Sequence, residues 1–103
     1  MRTIISSLYL KSKVKKAINN RLSKIKIQNN NIFFICEDKK IYDVSLVDEL
    51  QIDKEILIEA DILQWYNIYQ FLNMIEEQPI VMELDDYSDT ILNIKFSQFV
   101  ARF

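Results

Sequence analysis

The chain of 103 residues contains no glycine and no histidine, and only one proline, one tryptophan and one cysteine. Each scarcity excludes something. Glycine-rich phosphate loops are ruled out, because their backbone can approach a phosphate closely only where a Cβ is missing. Turns that need positive φ are expected to fall on Asn or Asp instead. Without histidine there is no imidazole base, no His–Cys or His–Ser pair and no histidine metal ligand. A lone Cys36 cannot form an intramolecular disulfide, which fits a reducing, intracellular location: the cytoplasm, or a host cell's cytoplasm if the protein is viral. No apolar run approaches the roughly 18 residues of a membrane span, so no membrane contact is expected. The start, residues 1–10, has one Arg and an apolar run broken by Ser6 and Ser7, which is too weak for a signal peptide. The first 26 residues are basic like a mitochondrial presequence, but the expectation is that they stay on the chain.

Catalytic groups are equally scarce. Cys36 ends the apolar run Phe33-Phe34-Ile35-Cys36 and reads as a small core residue rather than a nucleophile. Glu76 and Glu77 are adjacent, so on a helix they point to different sides. The acidic group Glu83, Asp85, Asp86 and Asp89 surrounds a strand-to-strand turn, and its spacing matches no EF-hand loop. It reads as turn chemistry and solubility, with mimicry of nucleic acid as the sharper alternative. These residues predict no enzyme, no cofactor, no metal site and no small-molecule substrate.

What is present is grease and asymmetric charge. Half of the residues are apolar, enough for the core of one domain. The 17 Ile, 10 Lys and 8 Asn have AT-rich codons, which suggests an AT-rich genome such as that of a phage, mobile element or parasite. The net charge is only −2, yet residues 1–26 carry eight Lys or Arg and no acid, a net +8. The remaining residues carry five Lys or Arg against fifteen acids, a net −10. A basic segment of this kind can neutralise phosphates, and it can equally be the solvated face of an amphipathic helix.

The chain is organised around residues 61–77, which the pattern makes the central helix. Asp61 is a good N-cap, and Pro79 is a stop signal. Polar residues recur every third position, at Gln64, Asn67, Gln70, Asn73 and Glu76. A step of three turns about 300° on a helix, so the polar line winds around the rod and every side presents large apolar groups somewhere. One side is expected to cover the protein's own sheet. The other, enriched in Trp65, Tyr66, Tyr69 and Phe71, is a candidate partner-binding surface.

Around this rod the chain reads as strands and one further helix. Residues 2–10 read as a strand, and Ser12 as the cap of a helix with Val14, Ala17, Ile18 and Leu22 on one face. Strands follow at residues 24–28, 32–37 and 41–47, with a turn at Asn29-Asn30-Asn31 and a hairpin closed by Asp38-Lys39-Lys40. Tyr42, Val44 and Leu46 share one side of the third of these. After a polar connection at residues 48–53, a strand at 54–59 places Ile56 and Ile58 together and leads into the central helix. Strands at 80–84 and 90–96 flank a turn at 85–89, and residues 97–103 continue past a bulge or form a final edge strand. Two halves, near residues 2–47 and 54–103, share one βαβββ plan with little residue identity. The expected fold class is α+β: an antiparallel sheet with both helices packed on one face.

This doubled plan resembles a single domain of the DNA sliding clamps, the ring-shaped processivity factors of DNA replication. The residues that carry it are Leu10-Lys11-Ser12-Lys13-Val14-Lys15-Lys16-Ala17-Ile18 and Ile32-Phe33-Phe34-Ile35. In the second half they are Ile56-Leu57-Ile58-Glu59-Ala60-Asp61-Ile62-Leu63 and Thr90-Ile91-Leu92-Asn93-Ile94-Lys95-Phe96. The resemblance covers most of the chain and is one of element order. It implies a non-enzymatic scaffold whose basic helices track DNA backbone while sheets join subunits edge to edge. The first helix suits that role with Lys11, Lys13, Lys15, Lys16 and Arg21, extended by Lys24. The central helix, without Lys or Arg, does not, and clamp chains join two or three such domains where this chain has one.

The sequence therefore predicts a small binding module. It would self-associate or dock a protein partner through the central helix or a sheet edge, with the basic first helix on nucleic acid. The rival is an inhibitor, immunity or accessory protein, of phage or mobile-element type, that binds a protein target. A third class is a subunit that only fills a place in a larger assembly.

Overall fold

Ser6 and Ser7 mark the first departure from expectation. Strand β1 (Arg2–Ser6) turns directly into helix α1 (Ser7–Asn19), capped by Ser6 and not Ser12. In the computed structural model, which describes residues 2–28, 31–45, 55–85, 88–96 and 99–103, the reason is tertiary. The Ser7 amide donates to the Gln78 carbonyl at 2.9 Å, and the Gln78 amide donates to Ser7 Oγ at 2.9 Å. This reciprocal pair fixes where the strand stops, and it lets Leu10 enter the core one turn into the helix.

The remaining elements are β2 (Leu22–Gln28), β3 (Asn31–Cys36), β4 (Ile41–Ser45), β5 (Ile56–Glu59), α2 (Ile62–Met74), β6 (Pro79–Asp85), β7 (Ser88–Phe96) and β8 (Phe99–Arg102). The order βαβββ thus occurs twice, and the fold is α+β. The strands divide between two antiparallel four-stranded sheets instead of forming one. The first runs β1-β6-β7-β8 and the second β4-β3-β2-β5. Each half's opening strand has crossed to the other half's meander: Ile5 pairs with Ile80, and Ile58 with Ile25. Two equivalent hydrogen bonds hold these crossings, Ser7 N–H to Gln78 O and Ala60 N–H to Ser23 O at 2.8 Å.

Alternation in the strands and the 3.6-residue period in the helices aim one face of each element inward. Ile5, Ile80, Met82 and Ile94 come from the first sheet, and Ile25, Ile27, Ile32, Phe34 and Val44 from the second. Leu10, Val14 and Ala17 of α1 and Trp65, Ile68 and Leu72 of α2 complete one continuous core. Leu22, expected on the helix, is buried in β2. Leu46, the connection at 48–53 and most of the turns at 29–31 and 85–89 lie outside the described residues or side chains.

Among the described residues, positive φ falls on Arg21 (62°) and Lys39 (70°), neither of them Asn or Asp. At the second site the aspartate works from the side. Asp38 Oδ1 accepts from the Lys40 amide at 3.1 Å, while the Cys36 amide donates to the Lys40 carbonyl at 2.8 Å. Helix α2 begins as expected: Asp61 Oδ1 accepts from the amides of Leu63 and Gln64, at 3.0 and 3.2 Å. It ends at Met74, earlier than residue 77, because Ile75 turns extended and the chain joins β6 at Pro79.

Candidate nucleic-acid interface

Helices α1 and α2 lie side by side, and neither contains an aspartate or glutamate. Helix α1 carries Lys11, Lys13, Lys15 and Lys16, whereas α2 carries no charge at all. All fifteen acids of the chain thus lie outside the two helices, the nearest being Asp61, which caps α2.

The lysines do not form a single row. Four residues apart, Lys11 and Lys15 share the flank of α1 that turns toward α2. Lys16 points outward in the last turn, where a cation favours the helix dipole, and its carbonyl accepts from Asn20 Nδ2 at 2.7 Å. Lys13 lies on the opposite flank, its Nζ 5.7 Å from the centre of the Tyr9 ring. Arg21 sits beyond the helix end and lies 4.0 Å from Glu37, a pair that is largely exposed and worth little. It lines a separate pocket of about 460 Å³ with Asn19, Asn20, Glu37 and Asp38. Lys24 is on another surface altogether. Ile25 and Ile27 of β2 are buried, so Lys24 projects from the face of the second sheet opposite the core, across from Glu59.

The aromatic residues of α2 separate in the same way. Trp65 is only 5 % exposed and packs edge-on against Phe34, with ring centres 5.2 Å apart, so it is a core residue and not a surface one. Its place in the helical period decides this, since it leads the buried set Trp65, Ile68 and Leu72. Phe71 is half-buried against Phe103, with ring centres 5.5 Å apart. Tyr66 is 47 % exposed, and its hydroxyl accepts from Gln70 Nε2 at 2.9 Å. Tyr69 is half-buried beside it.

Tyr66 and Tyr69 meet the basic helix. With Lys15, Ile18 and Asn19 they line a cleft of about 220 Å³ between α1 and α2. The structure therefore joins Lys15, from the basic set, to Tyr66 and Tyr69, from the aromatic set, in one place. Asn19 was not expected in a site, and Ile18 was expected only on the apolar face of the helix. Their spacing of three and four residues from Lys15 was the available signal. The outer surface of α2 adds Leu63 (68 % exposed) and Met74 (83 % exposed).

Elsewhere, Glu83 pairs with Lys95 diagonally across β6 and β7. Among the described residues no three metal-ligating side chains converge, and no helix is long and apolar enough to cross a membrane. No family model, curated protein or solved structure matches the chain.

Proposed function

We propose that the chain is a non-enzymatic binding module that holds nucleic-acid backbone on its helix layer. The observation that carries this reading is the complete absence of acids from α1 and α2, with Lys11, Lys15 and Lys16 along the outward and inter-helix sides of α1. A solvated structural helix in a chain of net charge −2 has no need to exclude every carboxylate. The repeated βαβββ order supports a scaffold of the sliding-clamp type, in which helices face nucleic acid and sheets face away. A closed ring around DNA would require several copies of this chain.

Phosphate contacts release counterions, so affinity for a generic duplex should fall with salt. Three to four lysine contacts predict a slope of about −3 in log K against log salt. Fluorescence anisotropy with a labelled duplex measures it. Changing Lys11, Lys15 and Lys16 together to Glu should abolish binding, and unchanged binding by that variant would overturn the proposal.

A second reading has its own support in Leu63 and Met74, which α2 holds out to solvent. Further exposed apolar residues occupy edge strands: Ile41 on β4, Leu57 on β5, Ile4 on β1 and Val100 on β8. These suit a protein partner or a second copy of the chain. Light scattering tests self-association, and a monomer at high concentration rejects that form of it.

A further inference from the structure

The cleft between α1 and α2 is built for more than backbone contact. Resting on the nucleic-acid reading above, we infer that it receives an unstacked nucleobase, and that the preferred ligand is single-stranded. Along one wall Tyr66 offers a half-exposed ring whose hydroxyl is engaged by Gln70, so the side chain is held at both ends. The opposite wall offers Lys15, a cation beside the aromatic, and Asn19, an exposed amide able to donate and accept. Ile18 and Tyr69 contribute an apolar lining.

Size restricts the occupant. A cleft of about 220 Å³ has room for one planar heterocycle. Charge restricts it further, because the helices that form the cleft contain cations and no carboxylate. An anionic chain carrying flat apolar rings matches both conditions. In a duplex the bases are already stacked and shielded, so Tyr66 gains nothing there, whereas a single strand presents its bases freely. Lys15 then holds the adjoining phosphate, and Lys11, one turn away, the next.

The test compares two labelled oligonucleotides of equal length, one mixed-sequence single strand and one hairpin duplex, against three proteins. The wild type should bind the single strand more tightly. Tyr66→Leu, a surface change that keeps an apolar side chain, should weaken single-strand binding about tenfold or more and leave duplex binding and both salt slopes unchanged. Lys15→Gln should weaken both ligands and make the slope shallower by about 0.9 for the duplex and about 0.7 for the single strand. Thermal unfolding of each variant establishes that it is folded. If Tyr66→Leu binds the single strand as well as wild type while Lys15→Gln does not, base stacking is refuted and the backbone reading survives. If wild type binds neither oligonucleotide, both readings are refuted together.

Discussion

Trp65 of α2 and Phe34 of β3 meet edge to face, with ring centres 5.2 Å apart and planes at 84°. This contact seats the second half's helix on the first half's sheet. Removing a fully packed aromatic from such a site costs about 3–5 kcal/mol, so Trp65→Ala should lower stability by that amount in urea unfolding. A double-mutant cycle with Phe34→Leu should return a coupling of about 0.5–1.5 kcal/mol, the share specific to the ring pair.

The exchange of opening strands makes the halves interdependent. β1 completes the sheet of β6, β7 and β8, and β5 completes the sheet of β2, β3 and β4. A chain divided at residue 50 should yield two fragments that are unfolded alone, each lacking an edge strand and half of the core. Mixed in equal amounts, they should regain helical circular dichroism and a cooperative melt. Independent folding of either fragment would contradict this account of the fold.

The two positive-φ residues identify where the missing glycines would have helped. A non-glycine residue in the left-handed region costs about 1 kcal/mol or more, and Asn tolerates it best after Gly. Lys39→Asn should therefore stabilise the protein by roughly 0.5–1 kcal/mol, read as a rise in Tm. The same change at Lys40, which follows the strained position, should be neutral.

Cys36 supplies a pH-dependent prediction. Burial raises its thiol above the ordinary value of 9.0, Asp38 adds to the rise and Lys40 opposes it. Its Sγ lies 3.6 Å from the Ala17 carbonyl, an acceptor that also favours the protonated form. A raised native value means that the unfolded chain loses this proton first. The stability contributed is full below the ordinary thiol range and declines as pH rises through it toward the native value. Alkaline urea titrations should show this decline in wild type and less of it in Cys36→Ala. Alkylation of Cys36 should be slow in the native state and fast once the protein unfolds.

Asp61 is the cap whose worth can be isolated. It accepts from two amides of the first turn of α2, and Asp61→Ala should cost about 1 kcal/mol while Asp61→Asn costs little. At α1 the cap is weaker, since Ser6 Oγ reaches only the Tyr9 amide, at 3.5 Å. There the start is set by Ser7 and Gln78, so Ser7→Ala should be the more damaging change.

Local pattern determined much of this protein before any tertiary contact formed. Asp61 and Pro79 bracketed α2, the alternation around Ile25 and Ile27 placed β2, and Asp38-Lys39-Lys40 closed a hairpin. The basic character of α1 and the neutrality of α2 are likewise written in residue types. Tertiary structure decided the rest, because those features depend on partners far away in the chain. Ser7 begins a helix because Gln78, 71 residues away, fixes it. The strands form two sheets because each half's first strand finds its hydrogen bonds on the other half. Trp65 shares a helical face with Ile68 and Leu72, but which face of α2 turned inward was settled only by packing against the sheet that carries Phe34. Lys24 left the basic set because the pleat of β2 turned it to the outer face, while Lys15 and Tyr66, 51 positions apart, became neighbours through helix packing alone.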